Sequence, residues 1–154
     1  MQVRLLTVGK LGPAPEAVLA REWARRATRT GRANGFGPVE IVEIDTRRPG
    51  KAAEAEAILA RVEGAYLIAC DEHGAALASR AFADVLGALR DDGVRAVAFA
   101  IGGADGLDAS VIAAAHRTLA FGPQTWPHAL ARAMLAEQVY RAATLMAGQP
   151  YHRD

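Results

Sequence analysis

Two stretches constrain this chain more than any others: the near-continuous apolar runs at 64–70, Gly64-Ala65-Tyr66-Leu67-Ile68-Ala69-Cys70, and at 94–101, ending in Ile101. A strand with one face in water alternates polar and apolar residues, whereas these runs do not, so both must be covered on two sides. A parallel sheet between helical layers provides that environment. The intervening sequence agrees. Strands are expected over 3–8, closed by Gly9, over 39–44 and in a short segment over 118–121. Helices are expected after Pro13 and Pro15 to about residue 30, then over 52–62, 79–89 and 109–115. Strands alternating with helices define an α/β class with a mainly parallel sheet flanked by helices. Ligands of such sheets bind beyond the carboxyl ends of the strands, so the loops after Cys70, Ile101 and Phe121 should meet.

The 154 residues fit a single domain, 1–154, large enough for an ordinary core. The 51% hydrophobic content is inflated by alanine and includes no run of the roughly 20 residues that a membrane span needs. The N-terminal apolar segment is too short for a secretory signal, so a cytoplasmic location without membrane contact is expected. A single cysteine, Cys70, excludes an internal disulfide and reads as a small buried residue at a strand end. The net charge of +1 does not by itself announce nucleic-acid binding. Its distribution is more informative. Arg21, Arg25, Arg29 and Arg32 fall on one face of the first helix, opposite Leu19 and Trp23, with Arg26 nearer the apolar side and Glu22 the only acid among them. This face is either a phosphate contact or a solvated surface. A basic loop over 47–51 adds to it.

Several familiar chemistries are missing. Gly102-Gly103-x-x-Gly106 lies late in the chain with the wrong spacing for a dinucleotide fingerprint, and no Gly-Lys-Ser/Thr marks a phosphate loop. No nucleophile elbow is present, which leaves Ser79 and Ser110 as helix caps or solvent-facing hydroxyls. His73, His116, His128 and His152 show no zinc spacing, so no metal is expected. What remains is a site built from backbone, where glycines allow close approach. A ligand with adenine, ribose and an amino-acid tail would suit it.

The last helix is unusual. Thr125 is a plausible cap, Pro127 suits the first turn, and no Gly or Pro follows up to residue 147. Leu135, Val139, Ala142 and Met146 form one apolar stripe; Leu130, Met134 and Leu145 form a second, nearly opposite, interrupted by Glu137, Gln138 and Arg141. Glu137 and Arg141 have the spacing and order of an ion pair. The helix should therefore have two partners. Beyond it, Pro150-Tyr151-His152-Arg153 keeps aromatic and basic groups almost to the last residue, so the tail should be held rather than frayed.

Taken together, the Val-Gly-Lys-Leu ending of the first strand, the Asp71-x-x-Gly74 turn with Ser79 and Phe82-Ala83, Ile101-Gly102-Gly103-x-x-Gly106-Leu107, Thr125-x-Pro127-His128, Glu137-Gln138-x-Tyr140-Arg141-Ala142 and Pro150-Tyr151-His152-Arg153 carry a resemblance. In this order and spacing the chain resembles the ribosomal RNA large subunit methyltransferase H family, small SPOUT-class enzymes that methylate N3 of a pseudouridine in 23S rRNA. The resemblance implies a trefoil-knotted α/β fold, a homodimer and S-adenosylmethionine as cofactor. The cofactor site carries over onto Cys70, Gly103, Gly122, Pro123, Gln124, Thr125, Trp126 and Pro127. Many relatives have Leu in place of Cys70, Ser in place of Gly122 and an aliphatic residue in place of Trp126. Direct methyl transfer without metal or covalent intermediate is implied, with His128, His152 and Arg153 expected near the reacting imide. His128 also suits a helix residue packing on the core. Arg21, Arg25, Arg29, Arg141 and Tyr151 are expected to meet the RNA of the ribosome. The alternatives are a non-catalytic knotted dimer that holds an adenosine-containing ligand or docks on the ribosome, and a SPOUT enzyme for another RNA nucleotide.

Overall fold

In the computed structural model, which describes residues 1–10, 12–46 and 48–152, the two apolar runs occupy interior positions of one parallel sheet. The strands are β1 (Gln2–Val8), β2 (Val39–Ile44), β3 (Tyr66–Ala76), β4 (Ala96–Ile101) and β5 (Arg117–Ala120), in the order β2-β1-β4-β3-β5. The helices are α1 (Pro15–Gly31), α2 (Lys51–Val62), α3 (Ser79–Asp91), α4 (Ala109–Ala114) and α5 (His128–Met146). Every pairing within the sheet is parallel.

Both faces of the sheet are covered, which explains why β4 is apolar throughout and β3 is apolar up to Cys70. In β4, Val97, Phe99 and Ile101 join a core that includes residues of α1, α3 and α5, while Ala96, Ala98 and Ala100 join a second core with Ala55 and Ile58 of α2 and Val111 of α4. The strand thus alternates large and small rather than apolar and polar. Among the described residues no helix is long and apolar enough to cross a membrane.

The structure corrects the expected details in four places. First, β3 does not stop at Cys70. It pairs with β5 through Ile68 to Cys70 and again through Ala75 and Ala76, so residues 71–74 are a bulge inside the strand, pinched by the His73 amide donating to Asp71 Oδ1 at 2.9 Å. Second, Leu19 does not pack inside with its helix; it is 51% exposed, and α1 instead buries Ala17, Ala20, Ala24 and Ala27. Small side chains let α1 and α5 approach closely, leaving larger groups to flank the seam. Third, Thr125 does not cap α5. Pro127 holds the capping position, one residue outside the first turn, and the Thr125 hydroxyl donates to Glu72 Oε2 at 3.2 Å. Fourth, Ser79 does not cap α3; Ala78 precedes the helix, and the Ser79 hydroxyl donates to Gln138 Oε1 at 2.9 Å, tying α3 to α5.

The bulge in β3 depends on Gly74. A Cβ there would lie 2.6 Å from the backbone nitrogen of Leu119, where the neighbouring strand runs past. Gly87, within α3, has only Met146 Sδ at 3.9 Å. Gly74→Ala is therefore expected to destabilise the protein by about 1–3 kcal/mol. Gly87→Ala should stabilise it by up to about 1 kcal/mol. Denaturant titration of both variants checks the contrast; equal effects would contradict it.

Candidate functional site

The three loops meet as expected. Beyond the carboxyl ends of β3, β4 and β5 lies a cleft of about 630 Å³, walled by the β3 bulge, the glycine loop after β4, the 121–127 segment and the first turn of α5. The glycine loop folds tightly on itself: the Gly106 amide donates to the Gly103 carbonyl at 3.1 Å, and a Cβ on Gly102 would lie 2.4 Å from the Gly106 carbonyl carbon. No side chain larger than hydrogen fits at 102, so this wall is backbone.

Of the residues expected to hold a cofactor, Cys70, Gly103, Gly122, Gln124, Thr125, Trp126 and Pro127 all line the cleft. Pro123 is exposed in the same loop without lining it. One hydrogen bond ties that loop to the β3 bulge and a second closes it on itself. Besides Thr125 to Glu72, the Trp126 indole N–H donates to the Phe121 carbonyl at 3.2 Å, leaving Trp126 40% exposed at the rim. Cys70 keeps some exposed surface, but burial pushes its thiol up to about 12. It is a wall of the cleft, with no thiolate for nucleophilic chemistry.

The charge of the cleft is one-sided. Asp71, Glu72 and Asp105 line it, and among the described residues no lysine or arginine does. A phosphate-bearing ligand would find no cation there. A ligand carrying positive charge would find carboxylates.

His128 also lines the cleft, at the first position of α5. His152 lies elsewhere. The tail folds back onto the far part of α5: Arg141 Nη1 meets His152 Nδ1 at 3.2 Å, Arg141 Nη2 pairs with Glu137 at 2.5 Å, and the Tyr151 hydroxyl donates to Glu137 Oε1 at 3.0 Å. Burial and the Glu137 carboxylate raise the Tyr151 phenol above its ordinary value. Trp23 stacks on Tyr140 at 5.3 Å, and Tyr151 meets Tyr140 edge-on at 4.7 Å. The tail is anchored, as its composition suggested. Arg141 stands thirteen positions after His128 on the helix, roughly 20 Å at the α-helical rise. Within one chain, the two expected catalytic histidines do not meet. Arg153 lies outside the described residues.

Arg21, Arg25 and Arg29 are exposed on α1, and Arg32 is exposed just beyond its end. Their charge is partly spent internally. Arg25 and Arg26 both bind Glu22, at 2.8 and 2.7 Å, and hold its carboxyl down at about 2, while Arg21 donates to the Gly12 carbonyl at 2.8 Å.

Sequence reasoning missed Arg132. This arginine is 1% exposed, and its guanidinium donates to the carbonyls of Val8 and Gly9 at 3.0 and 3.2 Å and to Glu43 Oε1 at 3.1 Å. A signal existed: Arg132 stands three and seven residues before Leu135 and Val139, in register with the buried stripe.

A family model described as a predicted SPOUT methyltransferase matches residues 1–152, the stretch that carries the sheet, the cleft and the last helix. Solved structures with a similar fold include a probable methyltransferase from Bordetella pertussis Tohama I, with a TM-score of 0.53 and 20% identity over 92% of this chain and 95% of that one. A probable methylase family protein from Haemophilus influenzae Rd KW20 gives a TM-score of 0.54 at 14% identity, over 99% of this chain and 70% of that one. Among curated relatives, the ribosomal RNA large subunit methyltransferase H of Caulobacter sp. (strain K31) is 67% identical over 154 residues, the whole of both chains. The protein of the same name from Phenylobacterium zucineum (strain HLK1) is 60% identical over the same span. The chain belongs to the SPOUT methyltransferases, in the ribosomal RNA large subunit methyltransferase H family.

Cys70 provides a test of the site's electrostatics. A thiol pushed up to about 12 stays protonated well above neutrality. At pH 8 its alkylation by iodoacetamide should run roughly a thousandfold slower than that of a free cysteine, whose pKa is about 8.5. Labelling at ordinary rates would contradict the burial described here.

Proposed function

We propose that this protein is an S-adenosylmethionine-dependent methyltransferase of large-subunit ribosomal RNA. It transfers a methyl group to N3 of a pseudouridine in 23S rRNA on the ribosome, and it acts in the cytoplasm as a homodimer. The observation that carries the reading is the cleft: backbone walls at the carboxyl edge of the sheet, carboxylates in its lining, and no lysine or arginine among its described residues. Its volume suits a cofactor of this size. A molecule with adenosine, a sulfonium and an α-ammonium group, and no phosphate, matches that lining.

When bound, S-adenosylmethionine supplies an electrophilic methyl group for the imide nitrogen of the base. The chain must orient and desolvate that nitrogen and take up its proton. His128, which lines the cleft on the first turn of α5, is assigned as the acceptor, since an imidazole accepts protons near neutral pH. Arg141 and the tail residues Tyr151 and His152 form a basic and aromatic group suited to a nucleobase and its developing negative charge, and Arg153, outside the described residues, is assigned to the same role. Because that group is anchored far along α5, it serves the cleft of a second subunit rather than its own. Support for the dimer comes from the first half of the second stripe of α5, since Leu145 packs on the core of its own chain. Leu130 is 39% exposed, and Met134 lines an apolar groove with Leu77, Phe82 and Phe121. The trefoil knot belongs to the same reading. Arg21, Arg25 and Arg29 would contact RNA phosphates, with Arg29 contributing more than the internally paired Arg25.

Isothermal titration with S-adenosylmethionine, with the solution mass determined on the same sample, is expected to give saturable binding to a dimer. A folded protein that fails to bind would contradict the cofactor assignment. The shared site has its own test. His128→Ala and Arg153→Ala homodimers should each transfer methyl groups slowly. Subunits of the two variants, exchanged at random, should recover about a quarter of native activity, because half the dimers then hold one intact composite site. No recovery would place the tail and cleft of each site in one subunit.

A further inference from the structure

Arg132 is costly to bury. Desolvation pulls its pKa down, opposed by Glu43, and its Nε is buried without a hydrogen-bond partner among the described residues. An ion pair in such a place adds little stability over well-packed apolar groups. Its connections suggest another purpose. On one side, Arg132 directly follows Ala131, a wall of the cleft, and stands one helical turn after His128. On the other, it holds the carbonyls of Val8 and Gly9 at the end of β1. Val8 in turn supports the glycine loop: a Cβ on Gly103 would lie 3.3 Å from Val8 Cγ1. One side chain therefore links the α5 wall to the strand beneath the opposite wall, across 124 residues of sequence.

We infer that Arg132, oriented by Glu43, is a positioning residue that fixes the spacing of the two cleft walls and the placement of His128. The planar guanidinium fork is what allows one group to reach two carbonyls and a carboxylate together. A lysine keeps the charge but offers a point donor. The inference rests on the methyltransferase reading for its consequence, though not for its geometry.

The test uses full-length Arg132→Lys and Glu43→Gln proteins at a temperature where circular dichroism shows native and variant chains fully folded. Arg132→Lys is expected to weaken S-adenosylmethionine binding roughly tenfold to a hundredfold and to slow methyl transfer at saturating cofactor. Glu43→Gln should shift both in the same direction by less, with KM for ribosomes unchanged in each. If both fully folded variants bind and transfer like the native protein, and only their melting temperatures fall, Arg132 is a structural ion pair and the inference is overturned. If the native protein itself binds no S-adenosylmethionine, the methyltransferase reading fails, and amide hydrogen exchange decides the positioning role separately. Faster exchange in Arg132→Lys confined to 102–107 and 121–131 supports it; unchanged or uniformly raised exchange overturns it.

Discussion

The rest of the structure depends on how α5 is packed. This helix must lie close along α1, start at the carboxyl edge of the sheet and end where the tail can fold back. Alanines on α1 make the first requirement possible, because only small side chains let two helix backbones approach closely while longer groups stay at the edges. With that seam set, the first turn of α5 becomes a wall of the cleft and Glu137 and Arg141 become the anchor of the tail. The Ser79 hydroxyl bond to Gln138 fixes the helix from a third direction.

The cleft illustrates a division between backbone and side chain. Its wall is backbone at the glycine loop, where no side chain fits at Gly102. The other walls carry side chains, apolar at Cys70, Leu107, Leu119, Phe121 and Trp126, with three carboxylates and one imidazole among the rest. The basic residues lie apart, on α1 and the tail. Such a separation suits two ligands of opposite character: a cationic cofactor held deep, and a polyanion met outside. Keeping arginine out of the cleft also discourages phosphates from occupying it.

Most of the architecture was legible in the sequence. The uninterrupted apolar runs at 64–70 and 94–101 required cover on both faces, and alternating helical periods supplied it. The meeting of three strand-end loops followed from the same reasoning, and the aromatic tail announced its own anchoring. What failed was decided by tertiary contact. Residues 71–74 read locally as a turn, but β5 pairs with β3 on both sides of them and makes them a bulge. Leu19 had the period of a buried residue, yet the α1 seam took the alanines and left it outside. Thr125 and Ser79 had the chemistry of caps and were claimed by Glu72 and Gln138, partners 53 and 59 residues away. Arg132 was passed over because a charged residue reads as surface, although its register placed it on the buried stripe.

The most direct test of the central claim is methyl transfer itself: purified protein, S-adenosylmethionine with a labelled methyl group, and ribosomes lacking the modification, followed by mapping of the labelled base. The account predicts a single labelled pseudouridine in 23S rRNA, methylated at N3. A folded, cofactor-binding dimer that leaves the rRNA unlabelled, or labels a different nucleotide, would contradict it.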